Sequence, residues 1–407
     1  MTGQAGRVVI VGAGPAGMAM AYLLARRGVG VTVLETHHDF ARAFRGEGLQ
    51  RSGIDAFRQM GLGEQFDRIP HMALQSIELY SRGRLVIRED AARRGRAQAR
   101  AVSQPALLQM LADEAGKYPS FRLDCGVTMR DFLRENDRVV GVRASGCDGP
   151  REYRADLVVG ADGRNAATRK HSGLAEHSIP QRYDVLWLKV PYSEGYPDRT
   201  TAMVDLAPHR VLLAYPSADD QLQVGFFIPK GGFPALRARA VEVWTNELID
   251  PCPAFLAEHL RAHRETVTGA TLLNVVCGRL TEWTRPGLLL IGDASHPMSP
   301  LGGQGINIAL RDALVAANHL VPVLTAGGDP SAIDAATRRV QGERWPEIVA
   351  VQQMQENQGR LFFSDRWSTR LMFRLLPWLI RTGLLQWLQR KEARLMSEGV
   401  VPVRLVV

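Results

Sequence analysis

Three carboxylates in this 407-residue sequence stand where an apolar run gives way to a turn. Glu35 closes the run Val29 to Leu34, Asp162 follows Leu157-Val158-Val159-Gly160-Ala161, and Asp293 follows Leu288-Leu289-Leu290-Ile291-Gly292. A carboxylate at the carboxyl end of a buried strand is placed to accept hydrogen bonds from the hydroxyls of a ligand, because ligands of open α/β sheets bind outside those strand ends. Gly12, Gly14 and Gly17 supply the complementary feature, a Gly-x-Gly-x-x-Gly turn that lets backbone approach a pyrophosphate.

The elements that must position these groups are legible around them. Arg7-Val8-Val9-Ile10-Val11 reads as a buried parallel strand, and Met18 to Arg27 as a helix closed by Gly28. Gly12 permits the turn and Gly14 admits the phosphates. Gly17 lets helix and strand pack closely, and the helix N-terminus offers unpaired N–H groups. Glu35 stands at the usual distance for a carboxylate that accepts both ribose hydroxyls, which favours FAD or NAD over NADP. Asp162-Gly163-Arg164 and the Gly292 to Asn307 segment read as two further ligand loops. The second is stiffened by Pro297 and Pro300 and leads into a helix from Ile306 to about Leu320.

Composition bounds the alternatives. The length suits one large core with a smaller region attached, and the overall composition is that of a globular protein. Cys125, Cys147, Cys252 and Cys277 are far apart with no Cys-x-x-Cys pair, as expected of reduced thiols; Cys277 reads as a reactive thiol or as a small buried hydrophobe. No basic segment followed by an unbroken apolar one opens the chain, so a cytoplasmic protein is expected. The formal charge of +8 is carried largely by arginine. It clusters at Arg82, Arg84, Arg88, Arg93, Arg94, Arg96 and Arg100, either a solvated loop or a landing site for an anionic cofactor or substrate, and no nucleic-acid motif accompanies it.

The rest of the chain reads in order. Arg45, in a Gly-flanked turn, reaches back to a ligand or makes a surface ion pair, and a helix follows from Ser52 to Met60. Ser76 to Tyr80 and Arg84 to Arg88 form a hairpin, and Ser103 caps a helix that begins at Gln104 and Pro105. Strands are expected at Phe121 to Cys125, Val127 to Leu133 and Arg138 to Ser145. From Tyr183 to Ile228 long antiparallel strands with short turns suggest the wall of a substrate cavity, and helices are expected at Phe233 to Leu248 and Ala254 to Arg264. The tail from Ser364 to Leu388 is amphipathic, with Arg366, Arg370 and Arg374 on one face and Trp367, Leu371, Leu375 and Trp378 on another. It docks on the body, or serves as a peripheral membrane or dimer contact.

The three signals in this order, Gly12/Gly14/Gly17 with Glu35, Asp162-Gly163, and Gly292-Asp293 with its Pro/Gly loop, resemble those of single-component FAD-dependent aromatic monooxygenases of the p-hydroxybenzoate hydroxylase type. The resemblance covers nearly the whole chain. It implies an α/β fold: a Rossmann-like FAD-binding domain in three pieces (1–75, 100–180 and 275–345), an inserted antiparallel β-sheet substrate domain (76–99 and 181–274), and a helical C-terminal tail (346–407). It further implies that Gly12, Gly14, Ala16 and Gly17 cradle FAD and that Glu35 binds the adenosine ribose. Arg45 would meet the pyrophosphate or flavin, Gln104 the diphosphate and ribityl chain, and the Val127 backbone the adenine. Asp162 would serve FAD and NAD(P)H, and Asp293 the ribityl hydroxyls. Pro300 would face the reacting flavin edge, with Gly303, Gly305, Ile306 and Asn307 at its pyrimidine end.

The implied chemistry is hydroxylation of an aromatic or polycyclic small molecule of the kind met in secondary metabolism. Molecular oxygen adds to FAD reduced by transient NADH or NADPH, and the resulting flavin C4a-hydroperoxide is shielded in a dry pocket. No metal is expected. Tyr215, His209 and Arg210 on the antiparallel strands are candidates for a base, with packing or surface roles as the alternative. A halogenase is disfavoured, because Gly225-Phe226-Phe227-Ile228-Pro229 lacks tryptophan and no lysine precedes Lys117. Two other readings stay open. A flavoprotein reductase or dehydrogenase acting on a lipid-like substrate would follow membranes, and a non-catalytic FAD-binding redox sensor would change its binding to a partner when the flavin is reduced.

Overall fold

The computed structural model describes residues 6–41, 47–90, 99–382 and 397–407. Arg7–Val11, almost wholly apolar and buried, lies inside a six-stranded sheet ordered Thr284–Arg285, Leu288–Leu290, Leu157–Gly160, Arg7–Val11, Gly30–Glu35, Phe121–Cys125. All neighbours are parallel except the first pair. Strands covered on both faces need no polar alternation, which is why these read as continuous apolar runs. The sheet brings the carboxyl ends of three of its strands, and so Glu35, Asp162 and Asp293, to one edge.

Pro15–Ala25 packs on this sheet beside Gly305–Thr325 and Gln104–Gly116, and ten of its residues are buried. Its approach to the first strand depends on Gly17: a Cβ there would stand 2.0 Å from the Gly12 carbonyl oxygen. The cap expected at Ser103 is present, with its hydroxyl accepting from Ala106 N–H at 3.4 Å. The strand expected from Val127 runs over Thr128–Glu135, in a separate three-stranded sheet.

The second large sheet has seven strands, ordered Thr271–Leu273, Tyr183–Pro191, Gln221–Pro229, Arg210–Pro216, Thr201–Ala207, Ser76–Ser81, Arg84–Asp90. It is antiparallel apart from the Thr201–Ala207 and Ser76–Ser81 pair. Alternation sorts its side chains: Leu186, Leu212, Val224 and Phe226 pack under the helices Val241–Ile249 and Ala254–Ala262, whereas Val185, Trp187, Val211, Tyr215 and Phe227 face the other way. The single helix expected over Phe233 to Leu248 is two, Phe233–Arg237 and Val241–Ile249, because Ala240 adopts extended backbone between them.

Pro330–Phe362 is a 33-residue helix capped by Asp329, whose side chain accepts from Ala332 N–H at 2.9 Å. Trp367–Arg381 follows; it buries Phe373 and Ile380 beside Val86, while Trp367 and Trp378 remain 76% and 58% exposed. Residues 383–388 of the amphipathic tail lie outside the described residues. The segment 397–407 returns to the first sheet's side of the molecule, with Leu405 N–H donating to Gln59 at 2.7 Å and Val406 N–H to Asn318 at 2.8 Å. Among the described residues one helical stretch, Leu301–Thr325, is long and apolar enough to cross a membrane, and 72% of its apolar window is buried inside the fold.

Candidate active site

Glu35 is buried, and its carboxylate is held by backbone on both sides: Ala13 N–H donates to Oε2 at 2.8 Å and His37 N–H to Oε1 at 3.0 Å. The first bond ties the carboxylate to the glycine turn. Gly12 has φ +103°, and a Cβ on it would stand 2.5 Å from the Ala161 carbonyl oxygen. Gly12, Gly14, Ala16, Glu35, Gln104, Asp162, Asp293, Pro300, Gly303, Gly305 and Ile306 all line one cavity. A turn in which Gly12 and Gly17 leave no room for a Cβ, a helix N-terminus and carboxylates at strand ends suit a dinucleotide.

The two Asp-containing loops meet. Asp162 is fixed from behind by Thr168, whose N–H and hydroxyl donate to its two oxygens at 2.9 and 2.5 Å, and burial raises its pKa above the ordinary value. Arg164, in the next turn of chain, reaches Asp293 Oδ2 with its Nε at 3.2 Å. Arg169 binds the carbonyls of Asp293 and Ala294 at 3.0 and 3.1 Å. Neither arginine was assigned a role from sequence; the signal available for Arg164 was its place directly after Asp162-Gly163.

Pro300 sits in a loop clamped by the helix Pro330–Phe362. Gln355 donates from one amide nitrogen to the carbonyls of Ser299 and Leu301, both at 2.9 Å. Asn307, expected at the flavin, does not line the cavity. Its side chain accepts from Gln50 N–H at 2.8 Å and donates to the Gly303 carbonyl at 2.7 Å, so it braces the strand Gly48–Leu49 against the helix start.

The cavity, of about 800 Å³, continues from this loop to the second sheet, where Trp187, Ala202, Val204, Val211, Leu213, Tyr215 and Phe227 form an apolar wall. Tyr215 is therefore in place. His209 is not: it lies in a turn with φ +60° and pairs with Asp365 at 3.3 Å. Arg210 likewise turns away, bound to Asp205 at 2.6 Å. Both sit where the strand leaves the cavity face. Val127 does not line the cavity either; its neighbours Thr128 and Met129 do, while its own N–H donates to the Glu35 carbonyl at 2.9 Å.

The arginine cluster is divided. Arg88 is engaged by Glu78 and Asp198 at 3.2 and 2.5 Å, and Arg100 by Asp67 at 2.5 Å. Arg45, Arg93, Arg94 and Arg96 lie outside the described residues. Cys125 and Cys147 are exposed; Cys252 and Cys277 are buried, and burial pushes the Cys277 thiol up to about 11, which leaves it protonated and unreactive at neutral pH. Among the described residues no group of His, Cys, Asp and Glu could hold a metal ion.

The sequence profile of the FAD binding domain family matches residues 6–345. The chain belongs to this family. It is 31% identical over 403 residues to 6-methylpretetramide 4-monooxygenase of Streptomyces rimosus, an alignment covering 98% of this chain and 90% of that relative. It is 26% identical over 379 residues to kynurenine 3-monooxygenase of Stenotrophomonas maltophilia, covering 85% and 77%. Among solved structures, PqsL of P. aeruginosa in complex with 2-aminobenzoylacetate superposes with a TM-score of 0.76 at 21% identity, covering 88% of this chain and 97% of that one. p-Nitrophenol 4-monooxygenase PnpA of Pseudomonas putida superposes at 0.75 and 19%, covering 96% and 98%; these two likenesses concern the fold. The protein is an FAD-dependent monooxygenase, and FAD is its cofactor.

Proposed function

We propose that this monooxygenase hydroxylates a bulky, largely apolar aromatic or polycyclic molecule, with NADH or NADPH as the electron donor. The observation that carries the reading is the continuity of the cavity: one end is lined by Gly12, Gly14, Glu35 and Asp293, the other by Trp187, Val211, Leu213 and Phe227. A cofactor held at the first end meets a ring lodged at the second near Pro300. A relative sharing 31% identity is named for 6-methylpretetramide, and a substrate of that kind is the first to try.

Bound FAD supplies the oxygen chemistry, taking electrons from the nicotinamide and activating oxygen for transfer to the ring. The chain's own residues bind, aim and exclude water. In this reading the Glu35 carboxylate takes the adenosine ribose, Gln104 the phosphates and Asp293 the ribityl hydroxyls. The N–H groups from Gly303 to Ile306 stabilise negative charge at the start of their helix. Residues 1–75, 100–180 and 275–345 hold the cofactor, while 76–99 and 181–274 hold the substrate. The apolar wall keeps the reacting region dry.

The experiment is anaerobic mixing of the purified protein with NADPH or NADH, with and without a panel of phenolic compounds, while flavin bleaching is followed. Bleaching accelerated by particular phenols supports the reading and reports the substrate class. Bleaching by dithionite, but by neither nicotinamide under any condition, rejects it in favour of a separate reductase.

A further inference from the structure

The helix Trp367–Arg381 has two faces of opposite kind. Phe373 and Ile380 are buried with Val86, and Leu79, Leu206 and Phe362 pack against that cluster, so the body fixes how the helix is turned about its axis. Trp367, Leu371, Leu375 and Trp378 recur at spacings of three and four, which gathers them into one stripe on the outer face. They are 76%, 45%, 44% and 58% exposed. Arg366, Arg370 and Arg374, all exposed, run beside the stripe. No carboxylate lies in the helix, none of the three arginines has a carboxylate partner among the described residues, and the preceding Asp365 is taken by His209 at 3.3 Å.

We propose that this stripe seats the protein on an anionic lipid surface, with the helix lying in the plane of the interface. Tryptophan and leucine on one side and arginines along the border match that environment: the indoles sit at headgroup level, the leucines reach the acyl boundary, and the guanidiniums meet lipid phosphates. A second copy of the chain fits the stripe less well. A two-fold contact through it would set each arginine row beside its own copy, and no carboxylate on the helix offsets that repulsion. The formal charge of +8 acts in the same direction, since it draws the whole chain toward a negative surface.

The cavity opens beside this helix. Leu206 and Phe362 belong both to the cavity lining and to the packing around Phe373, and Ile77, which lines the cavity, is 50% exposed at its rim. Ile77 shares a sheet face with Leu79, two residues further on, and Leu79 packs against the same cluster. An apolar molecule dissolved in the lipid then lies close to the cavity rim and enters without crossing bulk water. The docking itself requires no substrate.

The test is sedimentation of the FAD-loaded full chain with vesicles of phosphatidylcholine alone, or of phosphatidylcholine mixed equally with phosphatidylglycerol. Wild type should follow the mixed vesicles far more than the neutral ones, and added salt should release it. Replacing the arginine row, as Arg366→Gln/Arg370→Gln/Arg374→Gln, should weaken binding to the mixed vesicles roughly a hundredfold. Trp367→Ser/Trp378→Ser should weaken it roughly tenfold or more, by removing the apolar anchors. Both variants should keep flavin and melting temperature, because the substituted side chains lie on the surface. Failure of wild type to bind the mixed vesicles overturns the proposal, as does equal binding to both kinds of vesicle. Binding that both variants retain in full also overturns it, since the contact then lies elsewhere on the basic surface. Sedimentation equilibrium without lipid tests the second copy: a dimer that Trp367→Ser/Trp378→Ser dissociates overturns the proposal, whereas a monomer leaves the stripe open for lipid and supports it.

Discussion

Asp312 Oδ2 lies 2.8 Å from His296 Nε2 and 3.0 Å from the amide nitrogen of Gly292, so one buried carboxylate oxygen holds both ends of the turn that presents Asp293. Its other oxygen accepts from Arg344 Nε at 2.7 Å. Arg344 in turn binds Glu347, which receives Arg311 at 2.9 Å and Val400 N–H at 2.8 Å. Every side chain of this chain of charges is buried, and it joins the Asp293 turn to the long helix and the C-terminal segment.

Asp312→Ala should therefore destabilise the protein by about 3–5 kcal/mol, because it leaves the buried Arg344 with one of its two carboxylates and takes the partner from His296 and Gly292 N–H. Denaturant unfolding measures this, and a loss below about 1 kcal/mol would show that the network is dispensable. His296 and Arg344 hold Asp312 down at about 2, below its unfolded value near 4. A depressed carboxylate contributes stability that is complete above about pH 4 and lost as pH falls toward 2, so the gap between wild type and Asp312→Asn should narrow over that window.

Gly17→Ala should yield protein without bound flavin or without a stable fold, since its Cβ would meet the Gly12 carbonyl oxygen at 2.0 Å. Gly163→Ala is the contrast. Its φ of +78° strains any side chain, yet nothing stands within 4 Å of the added carbon, so a cost of only about 1–2 kcal/mol is expected, with flavin retained. Absorbance of the purified proteins at the flavin band distinguishes the two outcomes.

Glu35→Gln keeps the shape of the side chain but leaves only one oxygen to serve both Ala13 N–H and His37 N–H. Losing one charge-assisted bond at about 1.5–3 kcal/mol predicts roughly a tenfold to hundredfold weaker affinity for FAD. Titration of the apoprotein with FAD, read by flavin fluorescence, checks it; an unchanged affinity would remove Glu35 from the ribose site.

Glu47→Gln should raise stability in alkaline solution. Burial lifts the folded-state pKa of Glu47 to about 7, above its unfolded value, so its contribution is complete below about pH 4 and is lost as pH rises through 7. A neutral glutamine escapes that loss. The variant should match wild type near pH 4 and exceed it by about 2 kcal/mol near pH 8, as measured by denaturant midpoints at the two pH values.

Much of the cofactor side was legible in the sequence because each part is contiguous: strand, glycine turn and helix from Arg7 to Ala25, and the strand ends carrying Glu35, Asp162 and Asp293. A glycine spacing constrains its own backbone whatever surrounds it. The helix Pro330–Phe362 was not expected as one element, since Arg344, Glu347, Gln352 and Gln355 are buried on it and blur the apolar period by which helices are read.

What tertiary structure alone decided is which residues share a wall. His209 and Tyr215 lie on neighbouring stretches of chain, yet only Tyr215 reaches the cavity, because His209 occupies the turn outside the strand face. Asn307 stands in the first turn of the expected helix but turns to Gln50, a partner far away in the sequence. Glu47, Lys189, Gln223 and Tyr215 come from a loop and three strands, and their meeting follows from sheet register. Local backbone chemistry is written in neighbouring residues; burial and charge pairing belong to residues that only folding brings within a few ångströms of one another.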